Sequence, residues 1–366
     1  MTMRESAVDV IIPTFNRAYC LAATIDSVLA QTHERCRALV IDDGSTDTTC
    51  SLVETRYGGN EKVVYVRRDN GGVASARNAG LALATAAHVA LLDSDDVWKP
   101  WKVRLQLDCL AALPPDVGMI WTDMSAVDSA GTIVAERYLR RMYSAYQRRS
   151  TPQLFAHAAK LTDLQGPDRR SAGHFDRADG VDAAAMLYWG DIFAQMIHGN
   201  LVHTSTVLLT RERAANVGGF NEALRHSGED YDFHLRTCRA GPVAFVDVAS
   251  ILYRVGNEDQ LTRPEYRIHM ARNFLATIEP VIRSDRARID ADDAELRALL
   301  ARAHAWIANE MFESADYRGA RRHSIASLRR GPLQKRMWLL AALATLPAGA
   351  RERLLRAYRG RKAPRS

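Results

Sequence analysis

Apolar and polar positions switch between two periods along the first third of the chain. Val8-Asp9-Val10-Ile11-Ile12-Pro13, Ala38-Leu39-Val40-Ile41, Val63 to Val66 and His88 to Leu92 are short apolar runs. Runs of this length, bounded by turn residues, read as buried strands. Between them apolar residues recur at helical spacing, with Leu21, Ile25, Val28 and Leu29 on one face. A second helix runs to about Tyr57, and an alanine-rich one from about Val73 to Ala86. Asn16 is placed to cap the first helix, and Ser45 or Thr46 the second. Strands alternating with helices at near-regular spacing predict an α/β fold with a mostly parallel sheet and right-handed crossovers.

The pattern continues with a helix over Trp101–Leu113, stopped by Pro114-Pro115, and a strand over Val117–Trp121. Periodicity then dissolves from Glu136 to Asp182 into charged, Gly- and Pro-punctuated sequence, read as an insertion or mobile loop region with little structure of its own. Strand-like runs return at Leu201–Thr210 and Val243–Val248. From about Pro264 onward, Leu and Ala at helical spacing predict a helical extension. The expected division is an α/β domain over residues 1–262 and a basic helical extension over 263–366.

Charge sharpens that division. The 366 residues carry a net +6, yet Arg318 to Ser366 alone hold 14 Lys or Arg against one acid, Glu352. The remainder, with 35 bases and 42 acids, is net −7. Within the basic tail, Met337 to Ala350 is the most apolar stretch, 14 residues with a proline inside. That falls short of the roughly 20 residues a bilayer span requires. Flanked by Lys335, Arg336 and Arg351, it suits either an anionic membrane interface or a terminal helix packed on the body. Five scattered cysteines with no CxxC pair argue for reduced thiols in a cytosolic setting.

Chemistry concentrates where the fourth strand ends, at Leu92-Asp93-Ser94-Asp95-Asp96. Carboxylates at strand ends sit on the sheet edge where open α/β folds bind ligands. Three so close repel unless a cation or strong donors lie between them. A hard divalent ion, Mg²⁺ or Mn²⁺, suits such oxygen ligands and the phosphates of a substrate. Asp42-Asp43-Gly44-Ser45 ends the second strand on the same edge, where Asp42 can meet a base or ribose beside Thr14 and Phe15. Gly71-Gly72, just before a helix, lets backbone approach a phosphate. Far along the chain, Glu229-Asp230 opens another helix, where a carboxylate can act as general base. Each motif alone also has an ordinary structural reading as a solvated turn or helix cap.

As an ensemble the motifs resemble the family 2 glycosyltransferases from about Val8 to Thr262. Val10 to Arg17 is similar to their opening strand and nucleotide loop, and Val40 to Asp47 to their second-strand motif. Asn70-Gly71-Gly72 with Ala76-Arg77-Asn78-Ala79-Gly80 resembles the next block, and Leu92 to Trp98 the DxD motif. Gly218-Gly219-Phe220 through Glu229-Asp230 resembles the acceptor-side block. The resemblance implies a GT-A fold, a Rossmann-like nucleotide-diphospho-sugar transferase, and inverting transfer to an acceptor hydroxyl. It implies donor contacts from Pro13, Thr14, Phe15, Arg17, Asp42, Gly72, Arg77, Asp93 and Ser94. Asp95 would ligate Mn²⁺ or Mg²⁺, and Asp230 would be the catalytic base. Glu229 and His203 would fall on the acceptor side. The donor expected is a nucleotide-diphosphate sugar, a UDP-sugar by preference, and the acceptor a surface polysaccharide or lipid-linked glycan.

One departure follows Tyr253-Arg254. Relatives often place a histidine there, whereas this chain reads Val255-Gly256-Asn257-Glu258. Rival classes fit less well. A sugar-1-phosphate nucleotidyltransferase needs a Gly-rich basic loop after the first strand, where Pro13-Thr14-Phe15-Asn16-Arg17 stands. A dehydrogenase needs GxGxxG at that turn. A non-catalytic sugar- or membrane-binding protein sits poorly with Asp93, Asp95 and Asp230 together, and no nucleic-acid-reading module is present. The location expected is cytoplasmic, peripheral to the inner face of the membrane through the basic tail.

Overall fold

The computed structural model of the chain describes residues 6–164, 181–182, 184–256 and 266–360. The expected strand–helix alternation is present as β1 (Val8–Thr14), α1 (Leu21–Leu29), β2 (Cys36–Asp42), α2 (Thr49–Tyr57), β3 (Val63–Arg67), α3 (Val73–Leu83) and β4 (His88–Leu91). Next come β5 (Val97–Trp98), α4 (Lys102–Ala111), β6 (Met119–Val127), β7 (Ile133–Ala135), α5 (Leu139–Met142), α6 (Thr151–Leu154) and β8 (His157–Lys160). β9 (Met186–Gly190), α7 (Phe193–Met196), β10 (Leu208–Thr210), α8 (Arg211–Val217), α9 (Glu229–Arg239) and β11 (Val243–Arg254) complete an α/β unit. Its sheet runs β3-β2-β1-β4-β10-β6-β11-β9-β8, with β5 on β11 and β7 on β6. Along that path only β10 and β9 oppose the other strands.

Register explains why acids from distant motifs share one edge. β1 lies between β2 and β4 in parallel, aligning Thr14 with Asp42 and Ile11 with Leu91. β1 is buried throughout, the condition under which a parallel strand reads as a continuous apolar run. Gly80 lets α3 settle on it, because a Cβ there would stand 2.4 Å from Ile11 Cγ2.

Several elements depart from the sequence reading, each for a local reason. Asn16 does not cap α1; it takes a left-handed φ of 53°. Its Oδ1 accepts from Thr46 N at 2.8 Å. Ser45 and Thr46 do not cap α2 either. Ser45 Oγ accepts from Asn16 N, and Asp47 accepts from Thr49 N at the helix start. The β1–α1 and β2–α2 loops are thereby tied together. The strand expected over 201–210 shrinks to β10, because side chains claim the backbone before it. Ser205 O accepts from Trp98 Nε1, and Thr206 O from Gln106 Nε2. The segment from Glu136, expected to have little structure, instead folds against the sheet as far as residue 164, and β8 adds an edge strand. Arg140 fastens it, donating to the fully buried Asp123 at 2.6 Å and to Asp247 at 2.9 Å. Trp121, Phe155, Tyr188 and Phe245 pack there as an aromatic cluster.

A second compact unit consists of His226–Gly228 and the helices α10 (Arg267–Ser284), α11 (Asp293–Glu313), α12 (Tyr317–Arg330), α13 (Lys335–Leu343) and α14 (Ala348–Gly360). Ala308, Leu328, Met337 and Leu340 form an apolar cluster within it. The apolar stretch of the tail is therefore partly packed, while Trp338 and Leu339 stay 59% and 49% exposed. Among the described residues no helix is long and apolar enough to cross a membrane, and all five cysteines are free.

Candidate active site

The turn after β4 is held from below and from the side. Thr24 Oγ1 of α1 donates to Ser94 O and to Asp96 O, each at 2.9 Å. Asp93 N donates to Ser205 Oγ at 3.1 Å. The backbone of the turn is thus secured without the carboxylates.

Arg77, on α3, joins the two halves of the site. Its guanidinium is 4% exposed and donates to Asp93 Oδ1 at 2.8 Å and to Glu229 Oε1 at 2.7 Å. It also lies over the Phe220 ring at 5.2 Å. A planar fork suits such a bridge between two carboxylates. Burial works against its charge, but Asp93 and Glu229 outweigh that and push its pKa further up. Burial likewise works to raise Asp93, yet the Arg77 charge, with help from His203, leaves it below the usual carboxylate range. Glu229 is pushed up to about 7, by burial first and then by the charge of Asp230, with Arg77 opposing. Asp230, partly exposed at the start of α9, is raised mainly by burial. A raised pKa makes a carboxylate a better proton acceptor near neutral pH.

Asp95 is partly exposed and pushed up to about 7, by burial and then by repulsion from Asp96 and Asp93. The Asp96 side chain points inward and is 1% exposed. It faces His203 Nε2 at 3.5 Å. Neither Asp96 Oδ2 nor His203 Nε2 has a hydrogen-bond partner, though both are buried. Ligand atoms of Asp93, Asp96 and His203 all lie within 4.8 Å of one another. Oxygen donors with one imidazole, two of the buried atoms being unsatisfied, fit a hard or borderline divalent cation. Asp95 lies outside that group of three.

The expected donor loop divides. Thr14 is buried with its Oγ1 unpartnered, and Phe15 is 45% exposed at the rim. Pro13 is paired within β1, and Arg17 NH1 donates to Tyr19 OH. Asp42 is fully buried and already accepts from Ser45 N at 2.8 Å and Tyr65 OH at 2.5 Å. The amides of Gly71 and Gly72 are not directed outward, since both donate to Asp43. Gly72 takes a φ of 88°, which a side chain would strain.

Some contributors escaped the sequence reading. Asn78 Oδ1 accepts from Phe220 N and its Nδ2 donates to Phe220 O, fixing the Gly218-Gly219-Phe220 turn under Arg77. Its place in the Ala76–Gly80 block was the available signal. Tyr143, whose hydroxyl lies 3.2 Å from His203 Nδ1, comes from the segment without periodicity and had none. Asn257 and Glu258, where relatives often carry a histidine, lie outside the described residues.

The large, mostly parallel sheet with helices following it is a GT-A fold. The chain shares its fold with the crystal structure of S. aureus TarS 1–349 in complex with UDP-GlcNAc. The TM-score is 0.52 at 17% identity, covering 92% of this chain and 84% of that one. Residues 9–160 match the family model Glycosyl transferase family 2, so this part of the chain is a family 2 glycosyltransferase domain. The chain is 32% identical over 240 residues to the hyaluronan synthase of Pasteurella multocida, covering 62% of this chain and 24% of that protein. It is 38% identical over 259 residues to an uncharacterized glycosyltransferase of Rickettsia conorii, covering 70% and 35%. The chain thus spans about a third or less of the length of these relatives.

Proposed function

We propose that this chain transfers a sugar from a nucleotide-diphosphate sugar, a UDP-sugar by preference, to an acceptor hydroxyl with inversion, in the assembly of a surface polysaccharide or lipid-linked glycan. The observation that carries the reading is the bridge Asp93–Arg77–Glu229, which links the acidic strand end to the residue beside Asp230. The relatives named above favour polysaccharide assembly. Thr14, Phe15 and Arg17 would receive the nucleotide, and Asp93 and Ser94 the ribose and sugar-phosphate region. Asp42 and Gly72 would then act chiefly by shaping the loops, given their internal hydrogen bonds.

Asp93, Asp96 and His203, with Asp95 at the open side, would hold Mn²⁺ or Mg²⁺. Such an ion, when bound, neutralises the charge of a departing diphosphate. Asp230 takes the proton of the acceptor hydroxyl. The acceptor oxygen then bonds to the anomeric carbon from the face opposite the leaving group. The bond from that carbon to the phosphate oxygen breaks, and the nucleoside diphosphate leaves with the electron pair. The expected setting is peripheral to an anionic membrane, with Trp338 and Leu339 exposed beside Lys335 and Arg336.

The test is a screen of nucleotide sugars for hydrolysis and transfer, with Mn²⁺ or Mg²⁺ and with chelator. Asp230→Asn should lower transfer by about 10²–10⁴-fold, and chelation should abolish turnover. Activity indifferent to chelator, or normal turnover in Asp95→Ala and Asp96→Ala alike, would refute the metal assignment.

A further inference from the structure

Among the described residues, Lys102 is the largest charged side chain that is fully buried, and the chemistry above leaves it unused. Burying an ammonium is costly unless its partners compensate. Lys102 Nζ donates to Gln106 Oε1 at 2.7 Å and stands 4.0 Å from the centre of the Trp98 ring. Its partners are thus an amide oxygen and a ring face rather than a carboxylate. Gln106, one turn further along α4, is fully buried too.

The amide that Lys102 holds reaches the loop carrying His203. A glutamine side chain accepts at its oxygen and donates at its nitrogen, so a donor fixed on Oε1 decides which way the amide faces. Gln106 Nε2 is thereby turned to Thr206 O at 2.8 Å and to Ile120 O on β6 at 3.3 Å. Trp98 Nε1 takes the preceding carbonyl, Ser205 O, at 2.8 Å. Thr206 is in turn tied to His203, its N and Oγ1 donating to His203 O at 3.0 and 2.6 Å. The turn Thr204–Thr206 is buried throughout. Trp98, Lys102 and Gln106 follow the acidic turn directly in sequence. The segment that leaves Asp96 therefore reaches across to hold the residue that faces it, His203 Nε2 lying 3.5 Å from Asp96 Oδ2.

We propose that Trp98, Lys102 and Gln106 are positioning residues: they hold the 203–206 turn so that His203 stays opposed to Asp96, and thereby set the affinity of the site for its divalent cation. The proposal rests on the reading that Asp93, Asp96 and His203 receive that cation, and names what keeps the histidine in place. Lys102 acts at one remove, through the Gln106 amide, while Trp98 acts on the neighbouring carbonyl.

The test is Mn²⁺ binding to the full chain, followed by electron paramagnetic resonance, with folding checked by circular dichroism and urea unfolding. Partners that orient metal ligands are worth about 10–100-fold in affinity, so Gln106→Met should weaken binding about tenfold or more. Gln106→Glu retains the shape and pairs with Lys102, which favours folding, but it loses the amide donor and should weaken binding as well. Lys102→Met should weaken binding on its own and add little in the Gln106→Met background, because it acts through that amide. Trp98→Phe, the mildest change, keeps the ring beneath the ammonium, loses the bond to Ser205 O, and should show a smaller loss. Folded variants that are less stable yet bind Mn²⁺ with parental affinity would show that these residues only fill the core, and would overturn the proposal. Additive losses from Lys102→Met and Gln106→Met would overturn the role given to Lys102. If His203→Ala weakens binding while the folded variants do not, only the positioning is refuted. If the unsubstituted chain binds no Mn²⁺, or His203→Ala binds it equally well, the cation assignment falls and the positioning with it.

Discussion

Replacing Arg77 with Met tests the join at the centre of the site. The guanidinium is 4% exposed and makes charge-assisted bonds of 2.7 and 2.8 Å to two carboxylates, one of them on Glu229, itself 4% exposed. Methionine fills much of the volume but leaves Glu229 without its countercharge and Asp93 with only the weaker help of His203. Removing one partner of a buried ion pair costs about 3–5 kcal/mol. For a domain of this size each kcal/mol lowers Tm by about 2–4 °C, so a fall of roughly 6–20 °C is expected. The pH dependence has a definite sign. Asp93 has a folded pKa below its ordinary value, so its contribution is present above that ordinary value and lost as pH falls through the folded one. Glu229, raised to about 7, contributes oppositely: its cost builds as pH rises above its ordinary value and is complete above the folded one. Without Arg77 both acids are worst placed when charged. The deficit in urea unfolding should therefore be largest at pH 8 and shrink toward pH 4. Arg77→Lys should fall between, because one ammonium cannot grip two carboxylates as a fork does. Adding Glu229→Gln to Arg77→Met should recover part of the loss. A deficit under about 1 kcal/mol at pH 8, against the 3–5 expected, or one equal at both pH values, would refute the reasoning.

Further outcomes follow from the same structure. With Asp230 raised by burial, kcat/KM should fall on acidification with a midpoint above the ordinary carboxylate range, and a rate profile flat down to pH 4 would count against Asp230 as base. Gly80→Ala should cost about 1–3 kcal/mol by overpacking against Ile11, as measured by chemical denaturation. Adding Ile11→Ala should relieve the clash and leave only its own cavity cost; a neutral Gly80→Ala would show that α3 and β1 are less close than described. Trp338→Glu should weaken binding to vesicles rich in anionic lipid without lowering stability, since Trp338 is 59% exposed. Equal partitioning of variant and parent would remove the membrane assignment.

Asp96 and Asp95 illustrate how far a sequence motif reaches. Three carboxylates after a buried strand call for a cation or strong donors between them. Which carboxylate turns inward depends on groups 70 or more residues away. Ser205 fixes Asp93 through its backbone, Thr24 fixes the turn from below, and His203 waits opposite Asp96. None of these distances is encoded in local spacing. The segment after Glu136 makes the same point from the other direction. It lacks periodicity because its stability comes from Arg140 reaching two buried carboxylates and from scattered aromatics that meet only across the sheet.

The sequence alone determined the α/β alternation, the basic helical extension and the placing of acids on one sheet edge. Those features follow from local rules: apolar period sets the element, and parallel crossovers put strand ends together. Only the tertiary structure decided that Asp42 and the Gly71-Gly72 amides are occupied within the protein, and that Arg77 spans Asp93 and Glu229. It alone brought Tyr143, from an unpatterned stretch, to the side of His203. Each depends on burial and on the meeting of groups remote in sequence, where desolvation decides which partner a polar atom takes.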